Sequence, residues 1–212
     1  EEGVGFERTY TVIPLTGPAH LSMFTSRYPQ EHGARINGIA IPRDSMWLSL
    51  PQILRRFGYA SAAFISSWPL IDRMTELGRW FDVYNQKMTR KYDVFHSSRY
   101  AQDVTPEAIR RLKNNQKKPF FLWVHYFDPH SPYNRREAFA SPRPSGHPRS
   151  ILEPKNQQMR DRIERYDSEI GYADHHIGLL LKQLDRLRLR DSTLGVLTSD
   201  HGESLGENGY VG

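Results

Sequence analysis

Three short apolar segments along the chain predict the strands of its core. Residues 59–65 (YASAAFI), 120–126 (FFLWVHY) and 193–198 (TLGVLT) each have the continuous apolar character of a buried strand. FFLWVHY is so apolar that we expect it in the interior of a sheet and not at an edge. Helical patterns separate the three segments, and this alternation predicts a layered α/β fold.

Polar and proline signals mark the helices between these strands. Ser49-Leu50-Pro51 predicts a helix start and Gly58 its end, while Thr105-Pro106-Glu107 predicts the start of another helix. A helical repeat from Asp161 to Leu189 predicts a long amphipathic helix. The side chains on its predicted buried stripe are Tyr166, Ile170, Ala173, Ile177, Leu180 and Leu184.

The long helix joins FFLWVHY to TLGVLT, which predicts a right-handed parallel crossover between them. In parallel sheets the functional side chains collect just beyond the carboxyl ends of the strands. Residues 142–155, rich in Pro, Ser and Arg, predict an exposed loop within the connection.

Composition narrows the class of protein. With 212 residues, the chain has room for one large domain or two small ones, and its 4 Trp, 11 Tyr and 10 Phe argue against disorder. No apolar run approaches the roughly 18 residues of a membrane helix, and the lack of Cys excludes disulfides and thiolate sites.

The chain starts without Met and in mid-pattern, so we expect a fragment. Its compartment stays open, and export to a periplasm or membrane attachment of the full-length protein is compatible with it.

The net charge of +5 permits anionic partners. The basic residues are scattered, however, as expected for solvated helix faces, and we expect no nucleic-acid partner. Those at predicted helix surfaces include Arg55, Arg56, Arg110, Arg111 and Lys113.

Two of the predicted strands are followed by residues that can carry chemistry. Asp200-His201 follows TLGVLT and could supply two ligands to one divalent ion, or form only a hydrogen-bonded turn. His130 follows FFLWVHY and could protonate a leaving-group oxygen, or be held in a rigid turn by the prolines around it. His125 lies within that strand segment and is expected to be a core or supporting histidine.

Thr16 precedes a predicted helix whose first turn contains Pro18. The N-terminus of a helix favours anions, and a hydroxyl there, beside a metal ion, could attack a sulfuryl or phosphoryl group. The alternative is that Thr16 is only a helix N-cap, which contributes about 1 kcal/mol.

Taken together, four ordered segments resemble the sulfatase family of the alkaline phosphatase superfamily. Residues 16–20 match its C/S-x-P-S-R motif and residues 25–33 its T-G-x-Y-P-x-x-H-G stretch. Residues 121–133 resemble its strand and P-H-x-P-Y loop, and residues 166–206 its Y-D-x-E-I-x-Y-x-D helix with S-D-H-G-E-S-L-G-E. The resemblance implies a three-layer alkaline phosphatase-like sandwich with a mostly parallel central sheet, incomplete at both ends, of which residues 1–212 form a partial catalytic domain.

The resemblance also implies roles for individual residues. Thr16 stands at the family's nucleophile, which also contacts the metal, and His20 stands at the Arg that supports it. Asp200 and His201 stand at metal ligands, and His130 at a substrate-binding histidine. These positions imply a metal-dependent hydrolase of sulfate or phosphate esters. The alternatives are a phosphoryl or phosphoethanolamine-type transferase and a non-catalytic module that binds an anionic glycan or lipid headgroup.

Some residues depart from the family pattern. Formylglycine, the usual sulfatase nucleophile, is made from Cys or Ser, so Thr16 cannot form it. Ser66-Ser67-Trp68 stands where the family has G-K-W-H-x-G, without the Lys and His that contact an anionic ester. The family's usual ion is Ca²⁺, whereas the imidazole of His201 favours Mn²⁺ or Zn²⁺. The expected substrate is a small anionic ester, or a sulfated glycan or lipid headgroup.

Overall fold

A computed structural model gives the structure of residues 3–91, 97–115, 118–140 and 156–206. The predicted loop at 142–155 lies outside these residues. The helices are α1 (Thr16–Thr25), α2 (Pro29–His32), α3 (Leu50–Arg56), α4 (Asp72–Thr75), α5 (Ala101–Asn114) and α6 (Gln157–Arg186). The strands are β1 (Ala60–Phe64), β2 (Val83–Asn85), β3 (Arg90–Lys91), β4 (Ser97–Ser98) and β5 (Phe120–Val124).

β1 lies between β2 and β5 in a parallel sheet, with Ala62 paired to Val83 on one side and Leu122 on the other. β3 and β4 form a separate antiparallel pair. β5 is therefore an edge strand of the sheet in the described residues, and the prediction of an interior strand is wrong for them. Its apolar side chains are instead covered by the layers that pack on the two faces of the sheet.

The two faces of the sheet support different layers, because successive strand residues point to opposite sides. Ala63 and Trp123 pack in a core with Leu21 and Phe24 of α1. Ala62 packs on the other face in a core that includes side chains of α5 and α6. This arrangement confirms the predicted α/β class with a parallel sheet between two layers.

The helix predicted after Ser49 is confirmed as α3. The backbone N–H and the hydroxyl of Ser49 both face Gln52 Oε1 at 2.9 Å, which ties the residue before the helix to its first turn. Gly58, which follows the helix, has a φ of +81°, a conformation that glycine adopts without strain. The chain then enters β1, as predicted.

α5 begins at Ala101, four residues before the predicted start at Thr105. The N–H of Ala101 donates to both carboxylate oxygens of Asp128, at 3.2 and 3.0 Å. Pro106 consequently lies in the second turn of the helix and not in the first. The start of α5 is thus held by a carboxylate from a distant loop, in addition to the local Asp103, which accepts the N–H of Tyr100 at 3.3 Å.

The long helix is confirmed as α6, although it begins before Asp161 and ends before Leu189. Ala173 and Leu184 of the predicted stripe are buried, but Ile170 is 42% exposed. The loop after β5 covers a different face of the helix, since the Phe139 ring packs on Tyr172 at a centroid distance of 5.3 Å. In the ranges that the structure covers, no helix combines the length and apolar character needed to cross a bilayer.

Residues 193–198, predicted to be a buried strand, form an extended segment without strand pairing. Leu194, Val196 and Leu197 are 89%, 78% and 77% exposed. The prediction of a strand and of a parallel crossover from β5 is therefore wrong for the described residues. An extended segment becomes a strand only when a neighbour pairs with it, and in the described sheet no strand lies beside this segment.

Candidate active site

The N-terminus of α1 carries Thr16 as its first residue, with only 5% of the residue exposed. Leu15 occupies the N-cap position and makes no side-chain cap, so the alternative that Thr16 is the N-cap is wrong. The carbonyl of Thr16 accepts a hydrogen bond from Nδ1 of His20 at 2.8 Å. Thr16 is thus buried at the positive end of a ten-residue helix, where an anion is favoured.

Asn37 packs against the same helix end. The N–H of Gly17 donates to Asn37 Oδ1 at 2.8 Å, and a Cβ added at Gly17 would lie 3.0 Å from that oxygen. The close approach explains why glycine follows Thr16. The sequence analysis missed Asn37, because the Asn-Gly pair at 37–38 indicates only a turn.

The segment 25–33 has a structural role next to α1. The Nε2 atom of His32, at the end of α2, lies 2.9 Å from the Ser22 hydroxyl. Its Nδ1 accepts the N–H of Ala34 at 3.2 Å. Burial lowers the pKa of His32, so the imidazole is neutral and ties α2 to α1.

His125 lies just after β5 and not inside the strand. It is buried, as predicted for a core histidine, and its Nδ1 accepts the N–H of Ser66 at 3.3 Å. Burial lowers the pKa of His125 to about 3, with a further contribution from the nearby His20. The imidazole is therefore neutral, and it joins the carboxyl ends of β1 and β5.

Asp200 brings the segment after residues 193–198 against α1. Its Oδ2 lies 3.7 Å from Nδ1 of His20 and 3.6 Å from Nε2 of His201. Burial opposes the ionisation of Asp200, but His20, His125 and His201 outweigh it and lower its pKa. Burial lowers the pKa of His20. The site therefore holds a carboxylate beside a buried neutral imidazole.

His130 lies farther along the same end of the sheet. Its ring stacks on Phe127 at a centroid distance of 4.3 Å, and Phe127 lies 6.4 Å from the ring of His125. His130 is also close enough to His125 to contribute to the lowering of its pKa. The structure thus brings His130, His125 and His20 into one neighbourhood.

Three imidazoles of the site share one hydrogen-bond pattern. His20, His130 and His201 each direct Nδ1 at a backbone carbonyl, at 2.8, 2.7 and 2.9 Å. A carbonyl only accepts, so Nδ1 carries a proton in each ring. The same arrangement orients histidines that bind metals, and it leaves Nε2 as the ring nitrogen that can face a metal ion or a substrate. The carbonyls belong to Thr16, Ser131 and Gly202.

Asp200 and His201 fit two ligand positions of a divalent ion. Their facing atoms are 3.6 Å apart, so both can contact an ion at about 2.1 Å. In the part of the chain that the structure describes, no group of three His, Cys, Asp or Glu side chains could hold a metal by itself. A carboxylate and an imidazole form a donor set that suits Mn²⁺ or Zn²⁺ better than Ca²⁺.

The segment Ser66-Ser67-Trp68, where the resemblance implies G-K-W-H-x-G, contains neither the Lys nor the His of that motif. Ser66 and Ser67 are fully buried, and among the described residues the Ser67 hydroxyl has no hydrogen-bond partner. A buried cation that was not predicted, Arg99, lies at this end of the sheet. Its guanidinium donates to the carbonyls of Ile65 and Asn85 at 2.7 and 2.9 Å, so it ties the ends of β1 and β2 together.

Comparison with known proteins identifies the family of the chain. The family model described as Sulfatase matches residues 1–212. An ulvan-active sulfatase from Formosa agariphila is 27% identical over 98% of this chain and 45% of its own length. The multifunctional alkaline phosphatase superfamily protein PehA from Trinickia caryophylli is 24% identical over 100% of this chain and 57% of its own. The chain thus spans about half the length of these relatives.

A solved structure shows the same fold. The protein BT4656, in complex with its substrate D-glucosamine-2-N,6-O-disulfate, superposes with a TM-score of 0.74 at 18% identity. The match covers 97% of this chain and 60% of that one. At this level of identity the likeness concerns the fold alone.

Proposed function

Because the chain belongs to the sulfatase family over all of its 212 residues, we propose that it is part of a metal-dependent hydrolase of sulfate or phosphate esters. The observation that carries the proposal is the meeting of two distant motifs at one end of the sheet. His20, one turn after Thr16 in α1, lies 3.7 Å from Asp200 of the S-D-H-G segment.

In this proposal Thr16 is the nucleophile. Its hydroxyl gives its proton to solvent water, its oxygen forms a bond to the sulfur or phosphorus atom, and the bond from that atom to the leaving-group oxygen breaks. The positive end of the α1 helix dipole, next to Thr16, favours the anionic group being transferred. His20 supports the nucleophile by holding the Thr16 carbonyl at 2.8 Å. Water then attacks the Thr16 ester and releases sulfate or phosphate.

His130 contacts the substrate and supplies the proton that the leaving-group oxygen needs. Its Nδ1 is bound to the Ser131 carbonyl at 2.7 Å, so a proton is delivered from Nε2. Since Thr16 cannot become formylglycine, the reaction uses a hydroxyl and not an aldehyde hydrate.

Asp200 and His201, with the Thr16 hydroxyl, would hold the divalent ion. When bound, such an ion lowers the pKa of a coordinated hydroxyl and offsets the negative charge of the ester. By family default it is Ca²⁺, while the imidazole of His201 favours Mn²⁺ or Zn²⁺. The substrate class that we propose is a small anionic ester or a sulfated glycan or lipid headgroup, because relatives include an ulvan-active sulfatase.

Two alternatives have specific support. A threonine nucleophile suits a phosphoryl or phosphoethanolamine-type transferase, in which an acceptor hydroxyl replaces water in the second step. The absence of the family's Lys-x-His pair at Ser67-Trp68-Pro69 favours a non-catalytic module that binds an anionic glycan or lipid headgroup.

The test uses the full-length protein with Mn²⁺, Zn²⁺ or Ca²⁺ and compares an aryl sulfate with an aryl phosphate. We expect metal-dependent turnover that Thr16→Ala lowers by at least about a thousandfold. Thr25→Ala is the matched control, because Thr25 is also buried in α1 but lies at its other end. Unchanged turnover in Thr16→Ala would contradict the nucleophile, and metal binding without turnover of either ester would favour the binding module.

A further inference from the structure

The loop that carries His130 is fastened along one side of α6. We define the His130 loop as residues 128–137. The Asn134 amide donates to Glu169 Oε1 at 3.1 Å, and the backbone N–H of Arg136 donates to the Ser168 hydroxyl at 3.0 Å. The Tyr133 hydroxyl donates to Glu203 at 2.6 Å, which connects the loop to the segment of Asp200 and His201.

Arg136 lies at the centre of these contacts. Its guanidinium is stacked between the rings of Tyr100 and Tyr172, at 4.2 Å from each centroid. Its Nη2 lies 3.7 Å from Oδ1 of Asp128, and its Nε lies 3.6 Å from Oε1 of Glu169. One side chain therefore joins the start of the loop, the start of α5 and the middle of α6.

Both carboxylates of this cluster are completely buried. Burial raises the pKa of Asp128 to about 6 and that of Glu169 to about 7, despite the nearby Arg136. The negative charge of Asp103 on α5 also raises the pKa of Asp128. The positive charge of Arg136 contributes to the lowering of the pKa of His176 on α6. The cluster thus keeps two carboxyl groups in a place where ionisation is costly.

Such a cluster is a poor way to gain stability. Buried ion pairs are often matched or exceeded by apolar packing of the same volume. Moreover, Nε and Nη2 of Arg136 and Oε2 of Glu169 have no hydrogen-bond partner within the part of the chain that the structure describes. A planar guanidinium between two rings and two carboxylates does define a single position for the loop. Asp128, one end of this arrangement, is only two residues from His130.

We propose that Arg136 is a positioning residue, which joins Asp128 and Glu169 between Tyr100 and Tyr172 and thereby holds the His130 imidazole in the candidate active site. Arg136 acts through the loop and contacts no substrate. This inference rests on the proposed function only for the catalytic role of His130. The contacts that hold the loop belong to the fold and do not depend on that role.

The first test is spectroscopic and needs no activity. In ¹⁵N-labelled protein, Arg136→Gln should shift or broaden the His130 ring resonances, while Arg135→Gln should leave them unchanged. Arg135 is a matched control on the same loop, because its side chain is 44% exposed and pairs with Glu137 and Glu164. Arg136→Lys should restore the His130 resonances only in part, because an ammonium group cannot stack between two rings. Unchanged resonances in Arg136→Gln, or equal shifts in both glutamine variants, would overturn the proposal.

If Arg136→Gln does not fold, Glu169→Gln is measured at pH 8, above the pKa of about 7 to which burial raises Glu169, where it removes the charge of one arm of the cluster and keeps the shape of the side chain. Its control is Glu164→Gln on the exposed side of the same helix. A His130 shift in Glu169→Gln alone supports the proposal, and no shift overturns it.

The second test measures ester turnover by the full-length protein. We expect Arg136→Gln to lower kcat about 100-fold with a smaller change in KM, because a displaced catalytic group slows the chemical step. If the wild type turns over no ester, the proposed function fails, while the resonances of His130 still decide the role of Arg136. If turnover occurs and kcat is equal in Arg136→Gln and Arg135→Gln, the positioning role is wrong.

Discussion

The two halves of the candidate site are held in different ways. Thr16 and His20 lie in a buried helix, whose Leu21 and Phe24 are part of the main core. Asp200 and His201 follow a segment whose Leu194, Val196 and Leu197 are largely exposed. The helix half is therefore placed by apolar packing. The other half depends on a few directed contacts.

Those contacts reach the residues just after the S-D-H-G segment, from α6 and from the His130 loop. The guanidinium of Arg162 donates to the carbonyl of Leu205 at 2.9 Å, and the Leu205 side chain is buried with Met159 and Ile163. The hydroxyl of Tyr133 reaches Glu203 at 2.6 Å. The difference between the two halves shows that a few side-chain contacts can position a chemical group on a segment that is neither a helix nor a strand.

The largest difference between the two halves is expected in the stability lost when a leucine of each half is truncated to alanine. In the 212-residue chain, Leu21→Ala should lower the free energy of unfolding by about 4 kcal/mol, because the side chain is fully buried. Leu197→Ala, the matched control at 77% exposure, should change it by less than about 0.5 kcal/mol. Denaturant unfolding measures both. A similar loss in the two variants would contradict the difference between the halves.

The second-largest effect is expected in the pH dependence of the unfolding free energy, through Glu169, which contacts the His130 loop. Burial raises the pKa of Glu169 to about 7, so the folded protein keeps a proton that the unfolded chain releases near its ordinary pKa. This stabilisation is present below about pH 4.5 and is lost as the pH rises to about 7. In Glu169→Gln the decline in unfolding free energy from pH 5 to pH 8 should shrink by about 2 to 3 kcal/mol.

Glu164→Gln serves as its control, because Glu164 is half exposed on the same helix. Denaturant unfolding at several pH values compares the two variants. An unchanged pH dependence in Glu169→Gln would show that Glu169 ionises normally in the fold.

A smaller effect tests the directed contact to Glu203. Tyr133→Phe removes the hydroxyl that donates to Glu203, and we expect a loss of about 1.5 kcal/mol in unfolding free energy. Amide hydrogen exchange should become faster at residues 201–206 and stay constant in α1. Tyr10→Phe, at an 87% exposed position, is the control. Equal acceleration in α1 would mean that the contact stabilises the whole fold and not this segment.

The smallest effect should come from the helix half. Asn37→Ala removes the acceptor for the Gly17 N–H and should lower the unfolding free energy by about 1 kcal/mol. Since apolar packing holds α1, exchange at the other amides of the helix should be nearly unchanged. Fast exchange throughout α1 would show instead that Asn37 carries the placement of the helix.

Local patterns were sufficient for much of the fold. The continuous apolar runs at 59–65 and 120–126 determined that β1 and β5 are strands with two covered faces, because each face must be removed from water. The caps around Ser49 and Gly58 determined α3, and the long helical repeat determined that α6 exists. The motifs placed Thr16 at a helix start and predicted which side chains belong to the family pattern.

Only the tertiary structure decided where distant groups meet. The start of α5 depends on Asp128, and the buried face of α6 depends on the loop after β5, so neither is encoded by periodicity. The segment 193–198 has the apolar composition of a strand, but a strand also requires a pairing partner. Likewise, the contacts of Asp200 with His20, and of Arg136 with its two carboxylates, join residues far apart in sequence. Their energies depend on burial and distance, which a sequence pattern does not contain.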